Sequence, residues 1–204
     1  MVAVETVIAA TFQHVVLAYA ALLIAVGMAL PLAVLSLSSR TVAAVVMAAA
    51  NLAQAIPGLV VVAFVVPLLG IGFYPAIVVL VLRALLPIVK NTWIGLSTVD
   101  PGIIDAATGI GMTDRQITRH IRFPHAYPAF FAGVRFAAVL TNSVAVLTAI
   151  IGSGGLGGLV FEGLAGSNMM TLCAGALPAV LLAIAVDLLI SVLERRVEGG
   201  RVGG

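Results

Sequence analysis

Two long charge-free segments limit most strictly what this chain can fold into. No Asp, Glu, Lys or Arg occurs between Glu5 and Arg40, and none occurs between Arg40 and Arg83. Each segment exceeds the roughly 20 apolar residues that carry a helix across a bilayer. Lipid offers the backbone no hydrogen-bond partners, so spanning segments form helices or a closed barrel. Because the apolar runs lack period-two alternation, the sequence predicts an all-α polytopic membrane protein.

The composition excludes an ordinary soluble domain. Hydrophobic residues make up 62% of the 204 residues and charged residues 9%, with a mean hydropathy of +1.24. A soluble domain is about 25% charged. We expect a single transmembrane domain over residues 1–204, with no fused solute-binding domain. Residues 1–5 lack a basic segment, so we expect the first apolar segment to be retained rather than cleaved.

The apolar segments predict five spans, of which the second is bent at Pro57. The segment between the third and fourth spans, 98–125, is polar, and the segment between the fourth and fifth, 152–167, is a glycine-rich loop. The predicted spans are 15–37, interrupted by Pro31; 42–55 with 57–69; 75–95; 127–151; and 169–193.

The basic residues orient these spans. Positively charged residues concentrate in cytoplasmic segments, and a five-span chain with its amino terminus outside places all the loop arginines on one face. The outer segments contain no Lys or Arg. We therefore expect an outer amino terminus, a cytoplasmic carboxyl terminus and a cytoplasmic 98–125 segment. The arginines on the cytoplasmic side are Arg40, Arg115, Arg119, Arg122, Arg195, Arg196 and Arg201.

Segment 98–125, which we call the island, holds six of the eighteen charged residues. Asp100 suits a helix N-cap, and Thr113 with Gln116 has the spacing of a capping box. We predict two short helices joined by a glycine bend, the second ended by Pro124, on the cytoplasmic surface. One interpretation is a solvated loop with its arginines in lipid headgroups; the other is a docking surface for another protein.

The island resembles the EAA loop of ABC-importer permeases. That pattern is Glu-Ala-Ala, three residues, Gly, nine residues, Ile-x-Leu-Pro, and every spacing matches, with Asp105 in place of Glu and Phe123 in place of Leu. In the family this loop is a coupling helix that docks on the ATP-binding subunit. The resemblance implies that ATPase coupling uses Asp105, Ala106, Ala107, Gly111, Met112, Thr113, Ile121 and Pro124.

Further motifs resemble a narrower branch, the osmoprotectant permeases for glycine betaine, choline or carnitine. Methionine-type permeases, with the type I fold, share the five-span core and the last motif, so an amino acid such as methionine is the alternative solute. The motifs are Gln54-x-Ile56-Pro57, Pro67-Leu68-Leu69-Gly70-Ile71-Gly72, Leu86-Pro87-Ile88-x-Lys90-Asn91-Thr92 and Gly152-x-Gly154-Gly155-Leu156-Gly157.

The resemblance implies a set of partners in the plasma membrane of a prokaryote. These are two ATP-binding subunits, a second permease chain that is identical or paralogous, an extracytoplasmic solute-binding protein, and membrane lipids. ATP and Mg would be held by the ATPase, because the sequence has no G-x-x-x-x-G-K-[ST] motif. We expect no catalytic residue, cofactor, metal or nucleic-acid site in this chain. The G-x-G-x-x-G from Gly152 to Gly157 follows a span rather than a strand, so it is no dinucleotide fingerprint.

Polar residues inside the predicted spans are candidates for the solute pathway. Charged residues in lipid face the bundle, pair with one another or snorkel, so Arg83, Arg135 and Asp187 favour a structural Arg–Asp pair over solute contact. A different class of function, an ion-coupled secondary transporter or channel, would use Arg83 with Asp187. A membrane scaffold is a third option. The pathway candidates are Gln54, Arg83, Thr141, Asn142 and Ser143.

Overall fold

The computed structural model describes residues 3–199 and places almost all of them in helices, as the apolar runs predicted. Arg201 lies outside the described residues. A π-helical turn, Thr118–Arg122, and a 3-10 turn, Ala149–Ile151, flank the seventh helix. The helices are α1 (Val4–Leu35), α2 (Arg40–Ala55), α3 (Gly58–Leu69), α4 (Phe73–Ser97), α5 (Pro101–Gly109), α6 (Asp114–Ile117), α7 (Phe123–Thr148), α8 (Leu156–Ala165) and α9 (Met169–Gly199).

Helices α1, α4 and α7 pack against one another and form the core. Small residues let their backbones approach closely, as in other membrane bundles. A Cβ built on Gly133 of α7 would lie 2.9 Å from Cβ of Asn91 in α4, and a Cβ on Gly95 would lie 2.9 Å from Cα of Ala126. Fully buried alanines on α1 complete this packing: Ala18, Ala21, Ala25 and Ala29.

Within the described residues, four helices are long and apolar enough to cross a membrane, namely α1, α4, α9 and the continuous helix through α7. The pair α2 and α3 is bent by 101° at Ile56-Pro57 and makes a fifth crossing if it counts as one span. The bend lies at the predicted proline. It arises because Ile56 is extended, with φ −75° and ψ 123°, at the end of α2.

Helix α1 begins at Val4, well before the predicted residue 15, and Pro31 does not interrupt it. The polar residues Gln13 and His14 explain the early start. Gln13 Oε1 accepts a hydrogen bond from the Gly155 amide at 3.1 Å, and His14 is fully buried. His14 therefore lies inside the bundle, and the exposed Gln13 beside it contacts the start of α8.

Two further predictions were wrong. Pro124 does not end a helix, because the π-helical turn before it runs directly into α7. In that turn the Phe123 amide donates to Thr118 O, five residues back, and a wider turn of this kind relieves the clash that a proline ring makes in an α-helix. The predicted loop 152–167 contains a helix, α8, which buries Leu156 and Leu159 against its neighbours.

The bundle has two distinct ends. At the island end, the Trp93 indole donates to Ser36 O at 3.3 Å, so α1 and α4 finish together beside the island. At the opposite end, which we call the glycine end, the Gly72 amide donates to Ile151 O at 2.7 Å. The turn before α4 therefore lies next to the glycine-rich segment that follows α7.

Candidate functional site

The island consists of two capped helices joined by a glycine turn, as predicted. Asp100 Oδ1 accepts from the Gly102 amide at 2.7 Å and begins α5. The Thr113 amide donates to Gln116 Oε1 at 2.8 Å, and the Gln116 amide donates to Thr113 Oγ1 at 3.4 Å. This reciprocal pair is the predicted capping box, and it begins α6.

The turn between α5 and α6 requires glycine. Gly111 has a φ of +86°, a region that side chains with a Cβ rarely adopt. The Met112 amide then donates to Ala107 O at 3.0 Å, which satisfies a carbonyl at the end of α5. Gly111 thus fixes the angle at which α5 meets α6.

Helix α5 presents small and apolar residues to solvent. Asp105 and Ala106 are exposed, whereas Ala107 is buried against the bundle. Ile103 is 53% exposed and Ile110 81% exposed, although both lie in the most polar segment of the chain. Ile103 and Ile110 are seven residues apart, so they share a face with Ala106. The EAA-loop pattern does not include Ile103 or Ile110. Their spacing of seven residues, which is two helical turns, was the signal that could have identified them.

The remaining predicted coupling residues divide between the surface and the bundle. Gly111 and Thr113 are exposed, and Met112, Ile121 and Pro124 are half-buried. The exposed coupling residues lie on the accessible side of the island, together with Ile103 and Ile110. The half-buried coupling residues attach the island to the spans.

Arg122 ties the island to α4. Its Nη1 donates to Leu96 O at 2.8 Å, in the last turn of α4. Arg122 is half-buried, whereas Arg115 and Arg119 of the same segment are exposed. The π-helical turn adds a residue to the local repeat and rotates Arg122 towards α4.

Near the middle of α4, Arg83 contacts the break between α2 and α3. Its Nη1 donates to Ala53 O at 2.9 Å and to Ile56 O at 2.8 Å. Lys90, two turns further along α4, donates from Nζ to Asn51 Oδ1 at 2.9 Å. Gln54, another pathway candidate, is half-buried beside these contacts.

The polar cluster of α7 is divided by burial. Thr141 and Asn142 are buried, and Ser143 is exposed. Asn142 Nδ2 donates to Ala179 O at 2.9 Å and joins α7 to α9. A cleft of about 310 Å³ between α7, α8 and α9 is lined by Asn142 and Ser143 together with Val146, Val160, Ala176, Ala179, Val180 and Ala183.

The predicted Arg–Asp pair is formed by Arg135 and Asp187. Arg135 Nε donates to Asp187 Oδ1 at 2.9 Å and Nη2 to Oδ2 at 3.0 Å, a bidentate contact between α7 and α9. Glu194 Oε2 lies 3.8 Å from Arg135 Nη1. The ion-coupled alternative needed Asp187 beside Arg83, but Asp187 is paired with Arg135 instead.

The bent helix pair, the long apolar helices and the capped island are consistent with one class of protein, the membrane component of a binding-protein-dependent transport system. The chain belongs to the family of binding-protein-dependent transport system inner membrane components, whose profile matches residues 21–199. The family assignment therefore confirms the resemblance that the island motif indicated.

Curated relatives extend this comparison over most of the chain. The osmoprotectant import permease protein OsmW of Salmonella typhimurium is 40% identical over 90% of this chain and 88% of its own length. The carnitine transport permease protein OpuCB of Listeria monocytogenes is 36% identical over 91% of this chain and 85% of its own. The choline transport system permease protein OpuBB of Bacillus subtilis is 35% identical over 91% and 86%.

Solved structures show the same fold. A chain of the MetNI methionine ABC transporter, in an inward-facing conformation, superposes with a TM-score of 0.85. The match covers 95% of this chain and 96% of that chain at 21% identity. An amino acid ABC transporter with histidines gives a TM-score of 0.78 at 19% identity, over 94% of each chain. At these identities the likeness concerns the fold.

Proposed function

We propose that this chain is the membrane-spanning permease subunit of an ABC importer for osmoprotectants such as glycine betaine, choline or carnitine. The observation that carries the proposal is the island, where a capped α5 presents Ala106 and Ile110 to solvent at one end of an apolar bundle. An exposed apolar surface in an otherwise polar segment favours contact with another protein. The relatives named for carnitine, choline and osmoprotectant transport support the solute class.

The proposed topology places the amino terminus outside and the island in the cytoplasm, with the α2–α3 pair as the second of five crossings. Arginines gather at the island end, and among the described residues none belongs to the turns of the glycine end. This asymmetry follows the positive-inside rule. The arginines of the island end are Arg40, Arg115, Arg119, Arg122, Arg195 and Arg196.

In the proposed cycle, two permease chains, identical or paralogous, form the pathway within the lipid bilayer, and two ATP-binding subunits bind the islands. The ATPases hold ATP and Mg, and their closure moves α5 and α6. Because Arg122 joins the island to α4, that movement reaches the spans and switches the pathway from inward-open to outward-open. An extracytoplasmic binding protein then releases its solute into the pathway.

For the pathway itself, we propose that Gln54, Asn142 and Ser143 contribute polar surface, with Thr141 and Arg83 placing the helices that carry them. Asn142 and Ser143 line the cleft between α7, α8 and α9, and Gln54 is half-buried at the α2–α3 bend. Few aromatic residues are available, at 6% of the chain, whereas quaternary ammonium groups are usually held by aromatic faces. Solute selection is therefore assigned to the binding protein.

Uptake into proteoliposomes tests the proposed function. The permease is reconstituted with its ATP-binding subunit and binding protein, and uptake of radiolabelled glycine betaine, carnitine, choline and methionine is measured with and without ATP inside. We expect ATP-dependent uptake of at least one quaternary ammonium solute and none of methionine. Uptake of methionine alone would contradict the solute class. Uptake by the permease by itself, driven by an ion gradient, would contradict the transporter class.

A further inference from the structure

The break between α2 and α3 leaves several backbone carbonyls without helical partners, among them Ala53 O and Ile56 O. In an α-helix, the carbonyl of residue 53 accepts from the amide of residue 57, but residue 57 is proline and has no amide hydrogen. Ile56 is extended, and the next turn closes instead between Val60 N and Pro57 O at 2.9 Å. Ala53 O and Ile56 O therefore need donors from outside the α2–α3 pair.

Arg83 supplies both donors. One nitrogen, Nη1, lies 2.9 Å from Ala53 O and 2.8 Å from Ile56 O. Arg83 is ten residues into α4, about 15 Å from the start of the helix, so the contact lies near the middle of α4, where it is part-buried at Ala53 O and exposed at Ile56 O. Unsatisfied backbone groups at this depth are costly because lipid provides no alternative partner. A cation at the carboxyl end of a helix is also favoured by the helix dipole.

The charge of Arg83 is not used in an ion pair. Among the described residues, the acidic groups within 4.0 Å of a basic side chain are Asp187 and Glu194, and both contact Arg135. Arg83 Nε is buried without a partner. The Arg83 guanidinium therefore binds the carbonyls of Ala53 and Ile56 and does not neutralise an acidic side chain.

Apolar packing secures the bent pair only lightly. Helix α2 buries Ala43 and Ala50, and α3 buries Val62 and Val65, whereas α4 has buried residues from its first turn, at Pro75, to its last, at Leu96. Segments with few buried contacts have low local stability and are the ones that move. The polar contacts from α4 therefore have a large share in fixing where the bent pair lies.

Helix α4 also connects this contact with the island. Arg122 donates to Leu96 O at the end of α4, and α5 begins soon after α4 ends. A single helix thus has the island at one end and the contact with the α2–α3 break near its middle.

We propose that Arg83 is a positioning residue that holds the α2–α3 bend against α4, so that movement of α4 at the island is transmitted to the bent crossing. The proposal rests on the proposed import function. Pro57 leaves Ala53 O without a helical donor, the break that follows it leaves Ile56 O without one, and Arg83 donates to both, so Pro57 and Arg83 act as a unit. The bent crossing is then the part of the pathway that moves with ATP binding.

The test uses Arg83→Met in the complete complex of permease, ATP-binding subunit and binding protein. We expect the loss of the donors to Ala53 O and Ile56 O to lower solute uptake about tenfold, while ATP hydrolysis per complex persists because the island is unchanged. Lys90→Met is the matched comparison, since Lys90 also contacts α2 but through the exposed Asn51 side chain rather than an orphan carbonyl, and we expect it to lose less uptake than Arg83→Met. Arg83→Lys keeps the positive charge, so we expect its uptake to lie between those of the wild type and Arg83→Met. It replaces Arg83→Met in the test if the Arg83→Met complex does not assemble.

A thermal-denaturation cycle with Pro57→Ala supplies a readout that does not depend on transport. Alanine at 57 restores an amide hydrogen for Ala53 O, so we expect Arg83→Met to lower Tm less in the Pro57→Ala background than in the wild type. The proposal would be overturned if Arg83→Met lowered Tm equally in the wild-type and Pro57→Ala backgrounds. It would also be overturned if Arg83→Met lowered solute uptake and ATP hydrolysis together. Unchanged uptake in Arg83→Met would overturn it while leaving the import function intact. A wild-type complex that imports none of the solutes would overturn both.

Discussion

We expect Ile110→Asp to abolish solute uptake while the permease stays folded in the membrane. Ile110 is 81% exposed on α5, so the substitution removes little that stabilises the bundle. A carboxylate placed in an apolar contact with the ATP-binding subunit must be desolvated without a partner. Loss of a central contact of this kind costs about 2 kcal/mol or more, which lowers affinity for the ATPase about thirtyfold. Co-purification of the ATPase and uptake into proteoliposomes measure the effect.

Ile71→Asp is the matched control for this experiment. Ile71 is 74% exposed in the turn between α3 and α4, at the glycine end of the bundle. The same change in charge and size is therefore made at the opposite end, where it should leave ATPase association unchanged. If Ile110→Asp binds the ATPase as tightly as Ile71→Asp does, α5 is not the docking element.

The second large effect concerns stability. We expect Gly157→Ala to lower Tm by about 5 °C and to reduce the yield of folded permease, since overpacking costs about 1–3 kcal/mol. A Cβ at Gly157 would overlap the backbone oxygen of Val146 and lie 2.7 Å from Cβ of Ala149. Relief requires α8 to move away from α7, because a backbone oxygen cannot rotate aside. Thermal denaturation of the detergent-solubilised chain measures the shift.

The adjacent glycine provides an internal control. Gly158 has no atom within 4 Å of a built Cβ, and alanine is the better helix former. Gly158→Ala should therefore leave Tm unchanged or raise it slightly. Equal Tm values for the two variants would show that α8 does not pack against the end of α7 as described.

Local signals in the sequence predicted the elements that depend on near neighbours. Asp100 and the Thr113–Gln116 pair cap helices through residues two or three positions away, so their types and spacing were sufficient. The bend at Pro57 followed from the missing amide hydrogen in the same way. The long apolar helices were predicted because their length reflects the thickness of the bilayer.

The elements that the sequence did not predict depend on contacts distant in the chain. Helix α8 forms in a glycine-rich segment because Leu156 and Leu159 are buried against neighbouring elements, and no local propensity indicates this. The start of α1 was misplaced because the partner of Gln13 is the amide of Gly155. Pro124 was read as a helix end because a π-helical turn has no recognisable residue pattern.

The same distinction applies to the candidate sites. The island was identified from residue types and spacing, but the partner of Arg122 is a backbone carbonyl of Leu96. Arg83 was identified as unusual because it is charged within a span, yet its partners are carbonyls of Ala53 and Ile56. Every residue has a backbone carbonyl, so a sequence does not indicate which carbonyl accepts a hydrogen bond from an arginine. An arginine within a span therefore suggests an acidic side chain as its partner.

The central claim is that α5 docks on an ATP-binding subunit. Photo-cross-linking tests it most directly, with a benzophenone attached to Ala106→Cys in a Cys173→Ser background, since Cys173 is the one cysteine of the chain. Ala106 is exposed on α5. In membranes that contain the complete complex, we predict a permease–ATPase adduct from position 106 and none from Ile71→Cys at the glycine end. Efficient labelling at 106 without an ATPase adduct, in membranes that still import solute, would contradict the account.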